Sequence, residues 1–368
     1  MSRIELKTIT PIHIGNGNFL QNNADFVVYR EDGDSFIDVI DPRKVLALVG
    51  EEHLDDWMLS IENPDDTIVR FVVRHNKNAR PDDYALRIIT NFAEVKKTDT
   101  LKECLHNGMG LYYIPGSSIK GAIRTAVLST LSKGKALENK IKDRSNKINA
   151  KQIEKDFLGK DSNSDVFRFL QVGDAYFDGD CGIATRMMNL NITHKDNLGD
   201  YSKTQIVEAI GLGNSTTFQM KIADSYYRWI KERKPGDIAT LPQGMESLSA
   251  LFMLINAHSE ELVSSEIDTW TELQERYSGA EDYIENMQSI LDEIKQCRKR
   301  KECVLRIGYG IGWRFITGGW SEGLDNFDEV VSASRPKNHL YDEYVFPKSR
   351  RLDEDSDVFG FVKLSITE

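Results

Sequence analysis

The sequence predicts an α+β protein made of two successive units, each a sheet with helices on one face. Two observations carry this reading. Short apolar or alternating runs, separated by turn signals, are interleaved with amphipathic helical stretches twice along the chain. The length of 368 residues suits about two domains or one large one. The division expected is 1–200 and 201–368, with the boundary in the polar stretch "HKDNLGDYSK". No internal repeat proves a duplication.

In order, residues 3 to 9 alternate as a strand. "ADFVVYR" and "SFIDVID" are two strands joined by "EDGD", a hairpin signal. "DPRKVLALVG" is a helix that begins after Pro42 and stops at Gly50. "TIVRFVVRH", residues 67 to 75, reads as a further strand from its β-branched content. Ile119, Ala122, Ile123, Ala126 and Val127 form one face of a helix following Pro115. Residues 133 to 155 are polar and basic, either a mobile insertion or a loosely held helix. "FRFLQVGDAYF" and "NSTTFQMKIA" return to strand character. "MESLSALFMLINAHSEEL" is an amphipathic helix. A second long helix carries the stripe Tyr283, Ile284, Met287, Ile290, Leu291, Ile294 and Cys297. "CVLRI" is a short strand, and "VFGFVKLSI" closes the chain as another.

About 40% of residues are apolar and 29% charged, ordinary for a globular protein. The longest apolar run is too short for a membrane span, and the N-terminus lacks a signal-peptide core. A cytoplasmic protein is expected. Cys104, Cys181, Cys297 and Cys303 form no CxxC pair, and no histidines stand at finger spacing. Neither a structural metal nor a disulfide framework is expected, and no cofactor.

The net charge of −11 argues against a general nucleic-acid binder, since phosphates repel an acidic surface. The distribution is uneven, however. Residues 115 to 155 hold ten Lys/Arg against three Asp/Glu, and "KQCRKRK" is a second basic knot. A selective polyanion binder or a merely solvated basic helix would both show this.

"YIPGSSIKGAIRTA" concentrates candidate chemistry. Ser117 or Ser118 is placed to cap the helix, and its first turn then offers free N–H groups to an anion. Lys120 and Arg124 stand one turn apart. Gly121 costs roughly 1 kcal/mol of helix stability relative to Ala, a cost that close approach of a ligand would explain. The alternative is a capped core helix with two solvated cations. "GYGIGWRFITGG" places Gly308, Gly310 and Gly312 at alternate positions, with Arg314, Tyr309 and Trp313 beside them. It is no dinucleotide fingerprint, which needs G-x-G-x-x-G opening a helix. It suits either a loop along RNA or a close packing contact. His13 in "TPIHIGNG" is a lone histidine, a base or a structural group. Lys348, Arg350 and Arg351 in "FPKSRRL" either clamp a phosphate or pair with the acidic "DEDSD" that follows.

"TPIHIGNG", "YIPGSSIKGAIRTA" and "GYGIGW" occur in the order seen in the RAMP superfamily of CRISPR-associated RNA-binding proteins, which this chain resembles from residue 10 to about 320. "FLQVGDA" and "PKSRRL" resemble, more narrowly, the fifth-subunit family of type III-A Csm effector complexes. The resemblance implies two ferredoxin-like (RRM-like) units with helical insertions. It implies a non-catalytic subunit at the end of the filament, capping the 3′ region of the crRNA and aiding its maturation. The implied partners are crRNA, the backbone RAMP subunit, the small subunit and cellular nucleases. His13, Ser117, Ser118, Lys120, Arg124, Gly308, Gly310, Gly312, Arg314, Lys348 and Arg350 would face RNA. The rival reading is a metal-independent endoribonuclease processing precursor crRNA, with His13 as general acid or base. A third is a nucleotide enzyme that uses "GYGIG" as its phosphate loop.

Overall fold

A computed structural model describes residues 1–63, 66–135, 150–191, 204–275, 279–298, 300–316, 318–334, 347 and 349–367. The chain opens with strands β1 (Ser2–Thr8), β2 (Gly15–Gln21), β3 (Phe26–Glu31) and β4 (Asp34–Ile40). Asp32 and Gly33 both take positive φ between β3 and β4, as a tight right-twisting hairpin turn requires. Helices α1 (Pro42–Val49), α2 (Leu54–Glu62), α3 (Ile68–His75) and α4 (Pro81–Tyr84) follow, then β5 (Ala85–Asn91), β6 (Thr100–Cys104), β7 (Tyr113–Ile114) and helix α5 (Gly116–Ser132). Next are α6 (Ala150–Leu158), β8 (Leu170–Val172), β9 (Ala175–Tyr176), β10 (Gly182–Asn191), β11 (Gln205–Ile210), β12 (Ser215–Ile222) and α7 (Asp224–Arg233). The last elements are α8 (Leu248–Leu273), α9 (Ala280–Gln296), β13 (Glu302–Arg306), α10 (Phe327–Ser334), β14 (Ser349–Leu352) and β15 (Phe361–Ile366).

The strand expected over residues 67 to 75 is the helix α3. Ile68, Phe71 and Val72 are its buried residues, at the i, i+3, i+4 spacing of a helix face. The Thr67 side chain accepts the Arg70 N–H at 3.2 Å and caps the start. Burial against Trp57 and Tyr84 in the cluster beside the hairpin outweighs the β-branched preference. Most of the basic insertion, residues 136–149, lies outside the described residues, as does the expected boundary near residue 200.

A five-stranded antiparallel sheet runs in the order β13–β15–β1–β12–β8. Its path through β1, α5, β8, β12, α8 and β15 alternates strand, helix, strand, strand, helix, strand. The other large sheet follows β2–β6–β11–β10–β5–β4–β3, with β14 paired to β10. Both sheets draw strands from either side of residue 200.

Ile4, Leu6, Phe218, Met220 and Leu364 share one core with Ile119, Ile123 and Val127 of α5 and Leu251 and Ile255 of α8. At the β13–β15 edge the opposite face is also covered. Val304 and Phe361 pack there against Val263, Tyr283, Met287 and Ile290. Hence every residue of β13 is buried, where a half-exposed strand would alternate. No helix among the described residues is long and apolar enough to cross a membrane.

Candidate nucleic-acid cleft

The segment after β1 is clamped from two sides. Ile12 exchanges both backbone hydrogen bonds with Ile210, at 2.9 and 2.8 Å. The His13 carbonyl accepts the Tyr309 N–H at 2.8 Å, and the Pro11 carbonyl accepts the Gly360 N–H at 2.9 Å. Next to this junction opens a cleft of about 470 Å³, lined by residues from all three motif segments. Ile14, Gly15 and Gly17 come from the first; Ser118, Gly121, Ala122 and Thr125 from the second; Ile307, Gly308, Tyr309 and Ile311 from the third.

Two cations reach this cleft. Lys102 of β6 lines it and places Nζ 3.5 Å from the centre of the Tyr309 ring. Arg306, at the end of β13, is buried between Phe315 and Phe361, its guanidinium carbon 4.5 and 4.6 Å from their ring centres. It donates Nε to the Phe359 carbonyl at 2.9 Å, while Nη1 is buried without a partner. Burial lowers the Arg306 pKa, and the nearby Tyr283 and Glu266 only partly oppose this. A buried, under-bonded guanidinium costs free energy, and Arg306, only 4% exposed, lines the cleft from within the core. Among the described residues, Gly121 has no neighbouring atom from outside its own helix backbone within 4 Å of where a side chain would begin. Tyr309 is 41% exposed.

The other expected contacts are placed differently. Neither Ser117 nor Ser118 caps α5. The cap position is Pro115, and the Asp174 carboxylate accepts the Gly116 N–H at 2.8 Å. The helix start is therefore held by another segment of the same chain, and a carboxylate already meets its dipole. Ser117 is exposed, and Ser118 lines the cleft. Arg124 points away, to Glu154 at 3.1 Å and Asp165 at 2.8 Å. Lys120 is half-buried beside it; burial lowers its pKa and Asp165 opposes that.

Arg314 and Arg350 are not at a surface at all. They are 7% and 4% exposed and both bind the fully buried Glu266. Expected to face RNA, they instead have their guanidinium groups committed to a carboxylate in the core. Of the loop glycines only Gly308 lines the cleft. Gly310 lies against Met187, and Gly312 lies near Arg350. Lys348 lies outside the described residues.

His13 is fully buried, with Nδ1 2.6 Å from the Glu208 carbonyl oxygen. A carbonyl only accepts, so Nδ1 carries the hydrogen. Burial pushes the His13 pKa down to about 4 against the raising influence of that hydrogen bond. In a histidine-ring NMR titration, His13 is expected to stay neutral from pH 8 down to about 4. A midpoint near 6 to 7 would instead give the group an acid-base role. Lys102 and Arg306 escaped sequence reading. Lys102 sits in an unremarkable strand, and Arg306 is a lone cation in an apolar one. The position of Arg306 two residues before Gly308 was the available signal.

A profile of the RAMP superfamily matches residues 5–315, a span that includes all three cleft segments. The chain belongs to the RAMP superfamily. This RAMP protein is 31% identical over 182 residues to the CRISPR system protein Csm5 of Methanocaldococcus jannaschii, covering 47% of this chain and 42% of that relative. The alignment thus spans less than half of the relative's length. Among solved structures, the RAMP protein is similar to the crystal structure of T. onnurineus Csm5, with TM-score 0.65 and 19% identity over 97% of this chain and 99% of that one. It is also similar to a chain of the cryo-EM Csm–crRNA–target RNA ternary complex of a type III-A system, with TM-score 0.69 and 19% identity over 99% and 100%. At such identity the structural likeness concerns the fold. The superfamily match, the Csm5 relative and the shared fold make this RAMP protein Csm5-like.

Proposed function

We propose that this chain is a crRNA-binding subunit of a type III-A Csm effector complex and that the cleft holds the guide's sugar-phosphate backbone. The observation carrying this reading is the convergence of three distant glycine-bearing segments on one cleft, with Lys102 and the under-bonded Arg306 on its wall. Glycines admit a backbone closely, cations neutralise phosphate, and Tyr309 supplies a stacking surface. The Csm5 relative and the fold shared with a chain of a Csm–crRNA complex support the assignment. On this reading the subunit caps the 3′ region of the crRNA at the end of the filament. It aids maturation by positioning nucleases and carries no catalytic centre itself. Its partners are the crRNA, the backbone RAMP subunit and the small subunit. The five-stranded sheet with α5 and α8 would be one of the two ferredoxin-like units, since its strand–helix order is that of such a unit.

Gly121 provides the test. Gly121→Ala is expected to raise stability by up to about 1 kcal/mol, because the helix gains a better former and the added carbon meets nothing. Gly121→Glu should also fold, yet place bulk and negative charge in the cleft. Complexes assembled with it are expected to retain less crRNA at equal subunit content. Undiminished retention, with the Gly121→Glu chain incorporated, would count against the cleft. Discrete cleavage of precursor crRNA that vanishes in His13→Ala would favour the endoribonuclease reading instead.

A further inference from the structure

The helices beside the β3–β4 hairpin carry a group of side chains that the cleft does not use. His53 ends the short turn Glu51–His53, Asp56 lies in the first turn of α2, and His75 closes α3. One ligand atom from each lies within 4.8 Å of the others. His53 Nδ1 is 3.4 Å from Asp56 Oδ2, and the His53 and His75 ring centres are 4.2 Å apart. Two ligands bonded at zinc distances with tetrahedral angles stand about 3.4 Å apart, so this spacing suits one shared ion.

The orientation of His75 is a second observation. Its Nδ1 is 2.9 Å from the Phe71 carbonyl oxygen. The carbonyl accepts, so Nδ1 bears the hydrogen and Nε2 keeps its lone pair. That is the support found behind metal-ligating histidines. The surrounding sequence "GEEHLDD" adds Glu51, Glu52 and Asp55 to Asp56, a negative local field that draws a cation. The other group of such residues, Glu103, His106 and Glu208, lacks this freedom. Glu208 already accepts from Arg87, Tyr112 and the Cys104 N–H.

We propose that His53, Asp56 and His75 bind one divalent ion of the zinc class, with water completing the shell, and that the ion ties α2 to α3. Two imidazoles and a carboxylate are the donor set that such ions prefer over magnesium or calcium. No finger spacing shows in the sequence because His53 ends the short turn before α2 and His75 closes α3.

The test uses the full chain, stripped with a chelator and titrated with zinc chloride and separately with cobalt chloride. One zinc per chain, a tetrahedral Co2+ absorption and a zinc-dependent rise in Tm are expected. His53→Gln and His75→Gln are each expected to weaken zinc binding more than about tenfold and to abolish the cobalt spectrum. Asp56→Asn, at an exposed position, should weaken zinc binding as well, and it keeps the test open if a histidine variant folds poorly. A wild-type chain that takes up no zinc at micromolar free metal would overturn the proposal. So would zinc binding and a cobalt spectrum that survive the substitutions.

Discussion

Glu266→Ala is expected to remove at least about 3 kcal/mol of folding stability, read as a lower urea midpoint at unchanged slope. Glu266 is fully buried on α8. Its Oε1 accepts Arg314 Nη1 at 2.6 Å and Arg350 Nη2 at 2.6 Å, and its Oε2 accepts Arg350 Nε and the Tyr283 hydroxyl, each at 2.5 Å. Arg314 has one further carboxylate, Glu322 at 2.9 Å. Removing Glu266 would strand the buried Arg350 charge and half-strand Arg314, which costs more than an intact pair contributes. Burial alone would raise the Glu266 pKa, but Arg350 and Arg314 hold it down to about 2. With the folded value below the unfolded value of 4.5, the unfolded chain binds more protons. The group's contribution is therefore complete above about pH 4.5 and fades as pH falls through about 2. Glu266→Gln, which keeps the shape, should lose that pH dependence together with most of the pairing. A Glu266→Ala protein as stable as the parent would show that the arginines find other partners.

That cluster also marks the limit of what the sequence made legible. Arg314 and Arg350 resemble RNA contacts in sequence because each stands beside glycines or other cations. Their partner, Glu266, is one acid on a mostly apolar helix face, 48 and 84 residues away from them. Nothing local signals that pairing. The elements read well where period and punctuation agree: α5, α8 and α9 by their apolar stripes, the β3–β4 hairpin by its Asp-Gly turn. Residues 67 to 75 failed because valine and isoleucine argue for strand, whereas Ile68, Phe71 and Val72 were already spaced for a helix. The cleft was half legible. Its glycine segments stand out in sequence, but which faces they present depends on how the segment after β1 is clamped between β11 and the loop after β13. Arg124 shows this: it shares a helix with Gly121, yet turns to Glu154 and Asp165 on another side.

Gly308→Ala is expected to cost about 2–4 kcal/mol, combining a strained backbone with a steric overlap. Gly308 has φ of 98°, where a side chain is disfavoured, and an added carbon would lie 2.7 Å from the His13 carbonyl oxygen. That carbonyl is the acceptor of the Tyr309 N–H, so the only relief is to part the first and third motif segments. Parting them would shift Tyr309 off Lys102 and widen the cleft between Gly15 and Gly308. The substitution should thus lower stability and crRNA retention together, unlike Gly121→Glu, which should spare stability. His13 reports on the same event. Once its segment loosens, water reaches the imidazole and its NMR titration should move up from about 4 toward the ordinary 6.5. A Gly308→Ala chain of parental stability, with His13 still titrating near 4, would mean that the loop yields without disturbing its neighbour. The glycine would then be serving the ligand rather than the fold.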